Sequence, residues 1–354
     1  MISFYPGPSK IEPLVKDFMQ EAIESQLIEY NHRSPQFMEM MKSCVEAVKY
    51  KLNIPKNYTV LFASSATECW EISSQSFDAN FIHIYNGAFG KKWAHYNEQT
   101  NKSVTHYAYS PQKRISINKI KVDKGQKNIF CLTNCETSNT TKVHSKTIQK
   151  LRSRFPKSLI FVDATSAMSG VNINWLSADF WYASVQKCFG LPAGLSVMVC
   201  SPRAIKEIKQ EDFHYNSLHS IYNNSLKLQT THTPNILNIY LLKRVMENRP
   251  VISKVHDHLR KRGNHLKKEL IKLGFTPLID NTQLQSETVI GVKCDPEELE
   301  QIKKEALEKG ILLGNGYGPW KNNSFRIANF PAHTDDDFEH LISFLKSFKK
   351  GMKS

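Results

Sequence analysis

The chain has 354 residues, 40% hydrophobic and 23% charged, the make-up of a water-soluble protein with one large domain and a smaller one. No apolar run approaches the ~18 residues that span a bilayer, and the start lacks a basic stretch followed by an apolar one. Membrane insertion and secretion are therefore not expected, and the cytoplasm is the expected compartment. The formal charge is +14, but the lysines fall mostly on helical faces such as His258 to Arg262 and Leu266 to Leu270. Without the aromatic-rich basic motif of an RNA-binding domain or a zinc finger, no nucleic-acid partner is expected.

Seven cysteines are scattered along the chain, none in a Cys-x-x-Cys pair. The odd number argues against a closed disulfide framework, and buried reduced thiols are expected, with no metal.

In chain order, Val60 to Ala63, Phe81 to Ile84, Asn128 to Leu132, Leu159 to Val162 and Leu195 to Val199 are nearly continuous apolar runs. Such runs suit strands covered on both faces. A helical stretch from Lys142 to Phe155 separates two of them, as a βαβ unit requires. The pattern predicts a three-layer α/β domain over 11–249, a mostly parallel sheet with flanking helices. A basic helix running to Leu273 follows Arg249-Pro250, ended by Gly274. Beyond it, Thr288 to Val292 reads as a strand, Asp295-Pro296 as a capped helix start, and Ser324 to Ala328 as a half-buried strand. Thr334 begins the last helix. Residues 250–354, with 1–10, predict a smaller α+β domain.

Two residues carry the chemistry. Asp163 ends the Leu159 to Val162 strand, at the sheet edge where ligands of open α/β folds bind. Lys187 follows the run Phe180 to Val185 and precedes a Gly190-Leu191-Pro192-Ala193-Gly194 turn. An amine emerging from such a run is partly desolvated, which lowers its pKa and makes it nucleophilic. Pyridoxal phosphate (PLP) needs this pair: a lysine that condenses with its aldehyde, and a carboxylate that keeps the pyridine nitrogen protonated. Taken singly, each is also an ordinary surface lysine or strand-end aspartate. Ser65 and Glu68 have capping-box spacing just after a strand, so a helix N-terminus there, with Thr67, can hold a phosphate.

These segments resemble the class V aminotransferases of PLP fold type I, and among them the phosphoserine aminotransferases. The resemblance runs through Phe4 to Pro8, Asn31 to Ser34, Phe62 to Thr67, Asn134 to Ser138, Val162 to Ser166, Ser184 to Leu195, Thr233 to Asn235 and Phe325 to Ile327. It implies PLP on Lys187, with Asp163 on the pyridinium and Ala66, Thr67 and Gln186 around the phosphate. It also implies Thr137 on the ring oxygen and Phe89 stacked on the ring, with Trp93 a nearby competitor. Thr233 and His232 would reach the phosphate of the neighbouring subunit, which implies a homodimer with a shared active site. Arg326 would grip the α-carboxylate of an amino-acid or oxo-acid substrate, and His32 and Arg33 would read its side-chain anion.

The phosphoserine-type pattern adds a second His-Arg pair shortly before the strand arginine. Leu313 to Lys321 contains no such pair. Three other readings stay open. One is an alanine–glyoxylate or serine–pyruvate type transaminase. Another is a desulfurase, against which the absence of cysteine from residues 314 to 323 speaks. The third is a non-catalytic basic interaction protein on the same scaffold.

Overall fold

The computed structural model describes residues 1–100, 102–123 and 125–352. Among the described residues fourteen strands form, in chain order β1 (Ile2–Phe4), β2 (Thr59–Ala63), β3 (Asn80–Tyr85), β4 (Val104–Ala108), β5 (Asn128–Thr133), β6 (Cys135–Glu136) and β7 (Thr141–Lys142). They continue with β8 (Leu159–Asp163), β9 (Phe180–Ser184), β10 (Ser196–Cys200), β11 (Thr276–Pro277), β12 (Val289–Lys293), β13 (Ile311–Asn315) and β14 (Ser324–Ala328).

A seven-stranded sheet runs in the order β2-β10-β9-β8-β5-β3-β4. Every residue of β5, β8, β9 and β10 is buried, which is what their continuous apolar runs predict for strands covered on both faces. All strands run the same way except β10, which is antiparallel to both β2 and β9. The reversal has a simple cause: residues 185–195 contain no helix to carry the chain back across the sheet, as a parallel return would need.

Helices α1 (Val15–Glu24), α2 (Pro35–Leu52), α3 (Ala66–Gln75), α4 (Ala88–Gln99) and α5 (Ser145–Arg154) flank this sheet, with α6 (Pro202–Lys206), α7 (Leu218–Ser225) and α8 (Ile236–Asn248). One cluster packs α1, α2, α5 and α8 against the sheet around Phe37, Phe130 and Trp181. A second, holding Phe77, Phe161 and Trp93, covers the other face with α3 and α4. Helix α5 starts three residues later than the sequence pattern predicts, because Thr141–Lys142 pairs with Cys135–Glu136 in a small hairpin.

The remaining strands form a five-stranded sheet, β1-β13-β14-β12-β11, with its own core against α9 (Ile252–Lys272), α10 (Pro296–Glu308) and α11 (Asp335–Gly351). The first strand lies here, pairing parallel with β13. Phe4 is fully buried in this core, so Phe4→Ala should cost about 3–5 kcal/mol.

Helix α9 ends as expected before Gly274, which takes φ +83°. Thr334 forms a full capping box with Asp337, whereas Asp295 makes no side-chain cap bond. Strand β14 is buried at every position rather than alternating, because helices and the neighbouring large sheet's loops enclose both of its faces. All seven cysteines are free and buried. Among the described residues no helix is long and apolar enough to cross a membrane, and no cluster of His, Cys, Asp or Glu could hold a metal ion.

Candidate active site

The carboxyl ends of β5 and β8 and the middle of β9 bring Thr133, Asp163 and Tyr182 side by side in register. Asp163 is buried, and its Oδ1 accepts a 2.8 Å bond from the Thr165 N–H. Burial raises its pKa, while hydrogen bonds with Thr165 and the charge of Lys187 pull it down. Lys187 follows the end of β9, and its Nζ donates to Thr137 Oγ1 at 3.1 Å and Ser166 Oγ at 3.0 Å. Burial lowers its pKa and the Asp163 carboxylate opposes that. The two side chains line one cavity of about 310 Å³.

The start of α3 opens into the same cavity with Ser65, Ala66 and Thr67. Ser65 accepts from the Glu68 N–H at 3.1 Å, while the Glu68 carboxylate returns to the Ser64 N–H, one residue before the usual capping-box donor. The Ala66 N–H donates to Ser184 Oγ at 2.8 Å. Gln186 also lines the cavity, and its Oε1 is buried without a partner among the described residues, as is Thr133 Oγ1. Unpaired buried polar atoms are costly unless a ligand meets them. An acid, an amine, a helix N-terminus and these orphaned atoms around one void fit PLP in size and chemistry.

Of the two aromatic candidates, Phe89 lines the cavity, its ring centroid 5.3 Å from Lys187 Nζ. Trp93, one helical turn on, is buried edge-on against His83 and Tyr182. Phe89 is held by Glu136, whose buried carboxylate accepts from the N–H groups of Phe89 and Gly90 and from Ser138 Oγ. Burial raises the Glu136 pKa against those bonds. A Cβ on Gly87 would stand 2.3 Å from Glu136 Cγ, so this close approach needs glycine there.

Arg326 reaches the cavity from β14. Its Nε donates to Asn315 O at 2.6 Å and its Nη1 to Thr137 O at 2.7 Å, which aims the rest of the fork inward. His32, Arg33, His232 and Thr233 do not line this cavity. They stand together elsewhere: His32 Nδ1 lies 3.3 Å from Thr233 Oγ1, and burial, then the charges of Arg33 and His232, lower the His32 pKa. His232 lines an adjoining cavity with Ser64 and Glu68. Sequence reasoning missed Ser166, Ser184, Thr133, Thr165 and Tyr317. Short polar residues at strand ends (Thr133, Ser184) or just after one (Thr165, Ser166) were the available signal for the first four; Tyr317 carried none.

Residues 4–318 match the family described as Aminotransferase class-V. Over 95% of this chain and 91% of its own length, a phosphoserine aminotransferase of Corynebacterium glutamicum (strain R) is 24% identical. An uncharacterized aminotransferase of Helicobacter pylori is 23% identical over 92% of this chain and 88% of its own. Among solved structures, a phosphoserine aminotransferase from Cytophaga hutchinsonii superposes with a TM-score of 0.89 at 31% identity, covering 98% of each chain. The chain belongs to the class V aminotransferases. It is an enzyme of fold type I whose cofactor is pyridoxal phosphate and whose substrates are amino acids and oxo acids.

Proposed function

We propose that the enzyme transfers the amino group between phosphoserine and 2-oxoglutarate, a step of serine biosynthesis, in a homodimer whose subunits share their active sites. The likeness to the Cytophaga hutchinsonii enzyme along nearly all of both chains carries this reading. In it, Asp163 holds a proton on the cofactor ring nitrogen, Ala66, Thr67 and Gln186 hold its phosphate, and Thr137 meets the ring oxygen. Bound PLP supplies an electron sink that makes the Cα–H of an amino acid acidic.

Lys187, its pKa lowered by burial, would carry the cofactor and would take up and return the proton of the substrate Cα. Thr137 and Ser166 keep the amine in place, and Phe89 covers the ring and excludes water. The free part of the Arg326 fork takes the α-carboxylate. The cluster of His32, Arg33, His232 and Thr233 faces the partner's cavity across the dimer, with the histidine–arginine pair on the side-chain anion and Thr233 and His232 on the phosphate.

A second reading, an alanine–glyoxylate or serine–pyruvate type enzyme, is favoured by one observation: Leu313 to Lys321 lacks a His-Arg pair for a dianion. Rapid-mixing absorbance of the half-reaction with phosphoserine, glutamate, serine and alanine separates the two. Phosphoserine and glutamate should convert fastest. If phosphoserine converts no faster than serine, the phosphoserine reading falls.

A further inference from the structure

The loop between β13 and β14 brings Tyr317 to the cavity wall. The loop is tight at Gly316, where a Cβ would stand 2.1 Å from the backbone oxygen of Trp320. The Tyr317 ring tilts 36° against Phe89 with centroids 5.5 Å apart. Its hydroxyl accepts a 2.8 Å hydrogen bond from Lys92 Nζ. Lys92 sits three residues after Phe89 on α4 and so shares its helix face. The ammonium lies 5.8 Å from the Phe89 centroid and 5.6 Å from that of Tyr317. The Arg326 guanidinium carbon is also 5.6 Å from the Tyr317 centroid. One phenol ring therefore stands between a buried guanidinium and an exposed ammonium, and Lys92 has no carboxylate partner among the described residues.

We infer that Lys92 and Tyr317 form a second subsite for the side-chain anion of the amino-acid substrate, adding to the histidine–arginine pair proposed above, and select donors that are acidic at both ends. This rests on the reading that Arg326 takes the α-carboxylate. A phenol whose oxygen accepts from an ammonium turns its own proton away from it and donates more strongly. An anion beside it meets that O–H and the ammonium charge together. An uncharged side chain gains neither, so the pair discriminates by charge rather than by size.

The test uses Lys92→Met, Tyr317→Phe and Lys92→Arg holoenzymes. Half-reaction KM values are measured for phosphoserine, glutamate and alanine, and calorimetry follows the unreactive probes glutarate and butyrate. Lys92→Met should raise the KM for the acidic donors about tenfold more than for alanine. Glutarate should weaken in parallel while butyrate does not, and Lys92→Arg should recover most of the discrimination. Equal losses for acidic and neutral ligands would mean that the two residues only shape the mouth, and would overturn the subsite. A wild type selective for acidic donors, with the selectivity intact in both Lys92→Met and Tyr317→Phe, overturns the subsite alone. A wild type blind to side-chain charge overturns it together with the phosphoserine reading.

Discussion

Gly7 lies against Lys187 so closely that a Cβ on it would stand 2.7 Å from the lysine Cε. Its φ of +148° is a conformation L residues rarely adopt. Gly7→Ala should therefore push the amine off the Thr137 and Ser166 hydroxyls. Strain of about 1 kcal/mol leaves the fold intact. Turnover is expected to drop roughly tenfold or more, because misplacing a reacting group is costly. Circular dichroism melting checks the fold, and steady-state rates check the loss; an unchanged rate would refute the contact's importance.

Lys187→Ala removes the amine itself. Borohydride treatment followed by peptide mass spectrometry should find the cofactor fixed to Lys187 in the wild type and nowhere in the variant. Turnover should fall by about 10²–10⁴. In the cofactor-free protein, the Asp163 carboxylate raises the Lys187 pKa while burial lowers it. Removing that charge in Asp163→Asn lowers it further. The pH at which a small acylating reagent begins to modify Lys187 should therefore shift downward. An upward shift would contradict the electrostatics of the shared cavity.

The proposed sharing of active sites makes a distinctive prediction for mixed dimers. Lys187→Ala and Arg33→Ala homodimers should each be nearly inactive toward phosphoserine. Refolded together, a hybrid restores one complete site, with Lys187 from one subunit and Arg33 from the other. Statistical mixing then returns about a quarter of wild-type activity. No recovery would mean that Arg33 serves its own subunit's cavity or none.

Acid should loosen the five-stranded sheet. His333 is buried, its ring stacked on Phe4 at 5.0 Å and its Nε2 2.9 Å from Ser3 O. Burial pushes its pKa down to about 4. The unfolded chain, at the ordinary value near 6.5, binds a proton that the folded chain refuses. This contribution is thus fully present above about pH 6.5 and is lost as pH falls toward 4, on the order of 2–3 kcal/mol. Melting temperatures of the wild type and His333→Gln over that range should converge as the pH drops. Parallel curves would assign the acid sensitivity to other groups, such as His83.

The parts legible in the sequence were those with local causes. Buried strands showed as apolar runs, and Asp163 and Lys187 showed because they interrupt such runs at the sheet's ligand-binding edge. What stayed hidden depended on distant partners. Phe89 and Trp93 are four residues apart on one helix, and only the sheet beneath decides that Trp93 turns inward onto Tyr182. The reversal of β10 is set by the length of a loop, not by the strand's own residues. Ser166 and Ser184 look like any loop or strand serine until Lys187 and the Ala66 N–H reach them. The burial of both faces of β14 follows from what packs over it, which its own alternation cannot report.

The pairing of β1 with β13 also orders events on the ribosome. Ile2–Phe4 leaves the ribosome long before its partner Ile311–Leu313 does. Until then this strand has no edge to join, and Gly7 is held near Lys187 from its other side, where the Ser9 N–H meets Gln186 O and the Glu12 N–H meets Gly190 O. Nascent chains stopped before residue 311 should accordingly show a weaker absorbance of anchored vitamin B6, even with the seven-stranded sheet formed. The amine would gain its full cover only once β13 is made, so a polypeptide stopped short of it turns over metabolites poorly.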